Sequence, residues 1–100
     1  MVGESGAGPF DRGDAARALM SVDVQGCRAV EGRTGVGHIM TLFIPDGTLV
    51  LAALDDFGLE ELNPFVGTPT GDCIVARFNG IRIRPFEGPP VRVGRAVRIR

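Results

Sequence analysis

No lysine, tryptophan or tyrosine occurs among the 100 residues, and histidine occurs once, at His38. Each absence removes a class of chemistry. Nucleotide-hydrolase phosphate loops end in Gly-Lys-Ser/Thr and open a helix. The glycine-rich stretch Glu31–His38 has no lysine and runs into a strand pattern, so it reads as a flexible turn. One histidine excludes a multi-histidine metal centre, and neither a metal nor a cofactor is expected. Without Trp and Tyr the largest base-stacking platforms are missing. The longest apolar region, Val36–Leu54, is cut by Pro45-Asp46-Gly47, so nothing reaches the ~20 residues of a membrane helix. The first residues carry neither the basic start nor the apolar run of a signal peptide. A cytoplasmic protein is therefore expected. Cys27 and Cys73 fall on separate predicted strands without CxxC spacing, and read as buried free thiols.

What is present fits a folded domain over 11–100 behind a flexible tail at 1–10. An apolar share of 44% and a net charge of −1 argue against a disordered chain. Fifteen glycines and seven prolines suit short strands joined by turns. Asp11 or Asp14 is placed to cap a short helix through Ala15–Met20. The Arg12-Gly13-Asp14 tripeptide just before it is read as a chance match to a cell-adhesion motif. Strands are expected at Val24–Val30, Val36–Ile44, Thr48–Leu54, Cys73–Phe78, Ile81–Phe86 and Val91–Ile99, with one helical turn at Leu59–Leu62 ended by Asn63-Pro64. The expected fold is mainly β, a small antiparallel barrel or sandwich of about six strands with one N-terminal helix.

Pro45-Asp46-Gly47 predicts a three-residue hairpin with a bulge, pairing Ile44 with Thr48, Leu42 with Val50 and Met40 with Ala52. Both faces of that hairpin are largely apolar, so a second cover is needed, and in a chain this short another subunit is the expected one. Asn79-Gly80 predicts a second hairpin, which opposes Arg77 to Arg82 and sets Arg84 beside them. Like charges so opposed are destabilising by up to about 1 kcal/mol.

Charge is uneven along the chain. Residues 1–72 hold four arginines and eleven acids, whereas residues 73–100 hold seven arginines and Glu87 alone. Arg77, Arg82, Arg84, Arg92 and Arg98 are thus the expected partner-binding surface. Three readings compete for it: internal salt bridges with the acidic first seventy residues, an interface with an acidic partner or a second copy, and nucleic-acid or anion binding. Arg95 falls with Val93 and Val97 on the apolar face. Either Gly94 marks a distortion that turns it outward, the preferred reading, or it meets a buried acid.

His38 is the one candidate for general-base chemistry. The hairpin register puts Asp56 diagonally across from it, and a one-residue change puts Asp55 opposite. A nucleophile is not placed beside it, Cys27 and Thr34 being the only candidates, so a structural contact closing the hairpin is preferred. Thr68, Thr70 and Asp72 sit in a Gly/Thr-rich loop that composition alone does not make a site. The expected function is a non-enzymatic binding or assembly module that self-associates, through Val36–Leu54 or the terminal strand, or docks an acidic partner. The alternatives are an anion- or nucleic-acid-binding barrel, and a small enzyme centred on His38 with Asp55 or Asp56. No membrane partner is expected.

Overall fold

The computed structural model describes residues 8–57, 59 and 61–100. In chain order it holds helix α1 (Arg12–Met20), a 3₁₀ segment (Gln25–Val30), strands β1 (Gly35–Phe43) and β2 (Leu49–Asp55), helix α2 (Pro69–Phe78) and strand β3 (Val91–Ile99). The strands form one antiparallel sheet in the order β2-β1-β3. This corrects the expected six-stranded barrel or sandwich: the sheet has three strands and stays open, and the fold is mixed α/β. No helix among the described residues is long and apolar enough to cross a membrane.

Side-chain alternation along β1 sets the layers. Ile39, Thr41 and Phe43 are fully buried on one face. Leu54, Ala52 and Leu49 stand beside them on β2, and Arg95, Val93 and Val91 on β3. The core of Leu19, Cys27, Phe65, Ile74 and Phe78 closes that face. Met40 and Leu42 point to the other side and stay partly exposed.

The Pro45-Asp46-Gly47 turn forms as the sequence indicates. Gly47 donates to the Ile44 carbonyl at 2.9 Å, Ile44 donates to the Thr48 carbonyl at 3.0 Å, and Gly47 has φ +91°. A side chain at Gly47 would also stand 2.1 Å from the Ile83 carbonyl oxygen. Beyond the turn the register departs from expectation. The pairing runs Phe43 with Leu49 and then Leu42 with Leu51, so Val50 is an extra residue. That bulge moves Ala52 and Leu54 onto the core face in place of Leu51 and Ala53.

The predicted strand Val24–Val30 is instead a 3₁₀ segment preceded by its cap residue Val24, and buried Val24 and Cys27 stand one such turn apart. The strand expected at Cys73–Phe78 is the body of α2. Thr68 caps it, its hydroxyl accepting from the Gly71 N–H at 2.9 Å, and Pro69 opens the first turn. Thr70, Ile74 and Phe78 are buried at intervals of four, the spacing of one helix face. Asn79-Gly80 ends that helix, with Gly80 at φ +91°; the same pair that signals a hairpin also serves a helix C-terminus. Ile81–Phe86 does not enter the sheet; it lies along the β1–β2 turn, where Arg82 bridges Thr48 and the Ile83 and Phe86 N–H groups donate to the Gly47 and Pro45 carbonyls. The helical turn expected at Leu59–Leu62 falls partly outside the described residues, and Glu61 and Leu62 are not helical. Of the expected tail, residues 1–7 lie outside the described residues; Gly8 bridges Phe86, and the Phe10 and Phe86 rings meet edge-to-face at 5.1 Å.

The cysteines are not free thiols. Cys27 and Cys73 form a disulfide that ties the 3₁₀ segment to α2. Both lie on the helical side of the sheet, which brings together residues 46 apart in sequence. Cysteine usage therefore gives no support to a reducing compartment, since such bonds persist in oxidising ones. Glu31 is a second tether to α2. Its carboxylate accepts from the Thr70 N–H at 3.0 Å and the Thr70 hydroxyl at 2.5 Å, at the positive end of the helix.

Two measurements test these tethers. Thiol titration of the unreduced, denatured chain should find no reactive group, and reduction should lower unfolding free energy by about 2–4 kcal/mol. The Thr70 bonds, with Arg33 behind them, hold the Glu31 carboxyl down to about 2 from an ordinary 4.5. A carboxyl lowered on folding stabilises above its unfolded pKa, and that contribution fades as pH falls through its folded one. The difference in melting temperature between the parent and Glu31→Gln should thus be full at neutral pH. It should close between about pH 4.5 and 2.

Candidate functional site

The outer face of the sheet gathers the chemistry-bearing residues that the core does not use. His38 stands directly opposite Asp55 on β2 and Ala96 on β3. Its Nδ1 lies 2.5 Å from Asp55 Oδ1. Of the two registers open to the sequence, the structure adopts the one that selects Asp55, and the Val50 bulge is what selects it. Asp56 turns away, its carboxylate accepting from the Asn63 N–H at 2.5 Å.

The pair is built into its surroundings. Asp55 Oδ1 also accepts from the Phe57 N–H at 3.1 Å, and the Phe57 ring centre stands 5.6 Å from the imidazole. Buried Asn63 donates through its side-chain amide to the carbonyls of His38 at 3.0 Å and Asp55 at 2.7 Å. Its own amide oxygen accepts from the Phe65 N–H at 3.0 Å. This one side chain closes the open end of the β1–β2 hairpin. On the other side the imidazole lies across Gly94, where a Cβ would stand 2.6 Å from Nε2. Gly94 is therefore not a bulge. Its pairing with Met40 is regular, and its missing side chain is the space the ring occupies.

When neutral imidazole donates Nδ1–H to Asp55, Nε2 is left as an acceptor, the state a general base requires. His38 is only 9% exposed, and that nitrogen faces the backbone of β3. Cys27 is held in the disulfide on the opposite side of the sheet. Thr34 lines an open cleft of about 640 Å³ with Val36, Leu59, Leu62 and Pro64, and His38 is not part of its lining. Among the described residues no group of three or more His, Cys, Asp or Glu is arranged to hold a metal. The His38–Asp55 geometry is that of a closure.

The five arginines of the expected contact surface are dispersed. Arg77 is on the last turn of α2, beside the Asp23 carbonyl, so it cannot oppose Arg82 across a hairpin. Arg82 donates to the Thr48 hydroxyl at 3.1 Å. The backbone N–H of Arg84 donates to Asp14 at 2.9 Å, and its guanidinium stands 3.9 Å from Asp11. Arg92 and Arg98 are exposed on β3, at the border of the outer sheet face. That face is apolar in the middle. Leu51 on β2 is 52% exposed and the bulged Val50 49%, beside half-buried Met40 and Leu42.

Arg95 does face inward, as alternation requires, and among the described residues it meets neither a bulge nor an acid. Its guanidinium donates to the carbonyls of Leu19 and Val22, where α1 ends, and lies over the Phe78 ring at 6.0 Å. Burial pushes its pKa below the usual value. A cation at the negative end of a helix supplies donors that the last turn otherwise lacks. Sequence reasoning missed this role, and those of Asn63 and Glu31, because their partners are backbone atoms distant in sequence.

No protein-family model matches the chain, and neither a curated protein nor a solved structure matches it.

Gly94→Ala tests the closure. The added methyl should expel the His38 ring and lower unfolding free energy by about 1–3 kcal/mol, with the His38 ring resonances shifted in NMR spectra. A variant as stable as the parent, with an unshifted ring, would show that the contact does not hold the ring.

Proposed function

We propose that this chain is a non-enzymatic assembly module that associates with further copies of itself through its β-surface. One observation carries the reading: among the described residues the helices and the buried core lie on one face of the sheet, and on the other face Phe57 reaches only the His38 end. The opposite side leaves Val50 and Leu51 about half exposed on a single strand, with Met40 and Leu42 beside them. Contiguous apolar surface of this kind marks interaction sites in folded proteins. The closed environment of His38 weighs on the same side, because a general base needs room for a substrate next to its free nitrogen. The scattering of Arg77, Arg82 and Arg84 over separate elements weighs against a continuous cationic track for nucleic acid.

Native mass by light scattering, followed over protein concentration, tests this. A mass of at least two chains is expected, and Leu51→Glu should weaken association by about tenfold or more while leaving the circular dichroism spectrum unchanged. A parent chain that stays monomeric at the highest attainable concentration defeats the reading.

A further inference from the structure

The two edges of the sheet are built differently. On β3 the outer edge is protected. Arg92 and Arg98 stand exposed along it, and Gln25 clamps its end, donating to the Arg98 carbonyl at 2.5 Å and accepting from the Arg100 N–H at 3.0 Å. Strands exposed at sheet edges carry charges and covering side chains of this kind because an open row of N–H and C=O groups recruits other strands. Among the described residues the β2 edge has no charge or covering side chain of this kind, and its one irregularity is the Val50 bulge at the turn end. From Leu49 to Leu54 it reads Leu-Val-Leu-Ala-Ala-Leu, without a charge, a proline or a glycine. At its start the Thr48–Arg82 bridge occupies the edge. Beyond it, among the described residues, the backbone of residues 50–54 has β1 as its only partner.

We infer that β2 pairs edge to edge with β2 of a second copy, antiparallel, joining two three-stranded sheets into one of six strands. This rests on the assembly reading above and names its geometry. The charges at the ends of β2 fit a second copy better than an unrelated strand. One end carries Asp55 and exposed Asp56. The other carries Arg82, whose guanidinium is held at the Thr48 hydroxyl. Antiparallel pairing about a two-fold axis sets the acidic end of each strand beside the Arg82 end of its mate, so the same complementary contact forms twice. Parallel pairing would set acid beside acid. Arg82 also fixes the extent of the joint: a partner strand running past residue 50 meets its side chain, so the shared ladder covers residues 50–54. The outer apolar face then continues across the seam, where Val50, Leu51 and Ala53 of the two copies become neighbours.

Amide hydrogen exchange measured by NMR at low and high protein concentration tests the geometry. Protection of residues 50–54 should rise with concentration in step with native mass, while β3 amides stay unchanged. Arg82→Glu should weaken association by about threefold to tenfold, with Arg92→Glu within about twofold of the parent, melting temperatures confirming that both fold. If mass rises but exchange at residues 50–54 does not respond, copies pack face to face; the edge inference falls and the assembly reading stands. Association insensitive to Arg82→Glu overturns the antiparallel arrangement. A chain that is monomeric throughout overturns the inference and the reading together.

Discussion

Strand β1 is the one strand hydrogen-bonded on both sides, and its two-residue alternation is the constraint on which the rest depends. Ile39, Thr41 and Phe43 must face the helices, because no other row of side chains in the sheet is fully buried. That choice sends His38, Met40 and Leu42 to the outer side. It also decides which residues of β2 and β3 accompany each group. A three-stranded sheet has one buried face and two edges, so a chain of this length cannot cover everything. The uncovered surface follows from the architecture and needs no special feature of composition.

Few elements pack on the buried face, and they are held by bonds at their ends as well as by apolar contact. The Cys27–Cys73 disulfide and the Glu31 carboxylate fix α2 to the 3₁₀ segment, one by a covalent bond and the other at the helix N-terminus. Arg95 does the corresponding work at the C-terminus of α1. Short helices gain little from propensity alone; here both ends of α1 and the N-terminus of α2 have specific side-chain partners. The outer face lacks comparable fastenings except at His38, Asp55 and Asn63, where one buried amide bridges two carbonyls.

Where sequence signals were local, they were legible. The Asp11 cap of α1, the Pro45-Asp46-Gly47 turn and the alternation of Val91–Ile99 all appear where the residues indicate. The misreadings share a cause, which is that one signal serves two structures. Asn-Gly suits a hairpin turn and a helix C-terminus alike, and apolar Cys73–Phe78 fits either a strand or a helix face. The preceding Thr68-Pro69, a cap followed by proline in the first turn, favoured the helix, and the buried spacing of Thr70, Ile74 and Phe78 bears it out. Once α2 replaced one predicted strand, the 3₁₀ segment another, and Ile81–Phe86 stayed outside the sheet, the barrel was lost and so was the opposed arginine pair. The His38–Asp55 pair stood among the sequence alternatives, but a bulge inside an apolar run leaves no mark in composition. The partners of Arg95, Glu31 and Asn63 are chosen by three-dimensional proximity and were beyond the reach of pattern.

The Val50 bulge bears on how this fold tolerates changes in chain length. Val50 is surplus to the ladder, so its deletion would leave every later pair in place, with His38 still opposite Asp55 and Leu54 still inside. Deleting a residue from 51–54 with the bulge kept would instead draw Asp55 opposite Ile39, on the face where the helices pack. The strand thus has a single joint at which its length is adjustable, next to a segment where it is fixed. Insertions and deletions accepted by relatives of this chain should gather at the turn end of the hairpin and spare the end closed by Asn63.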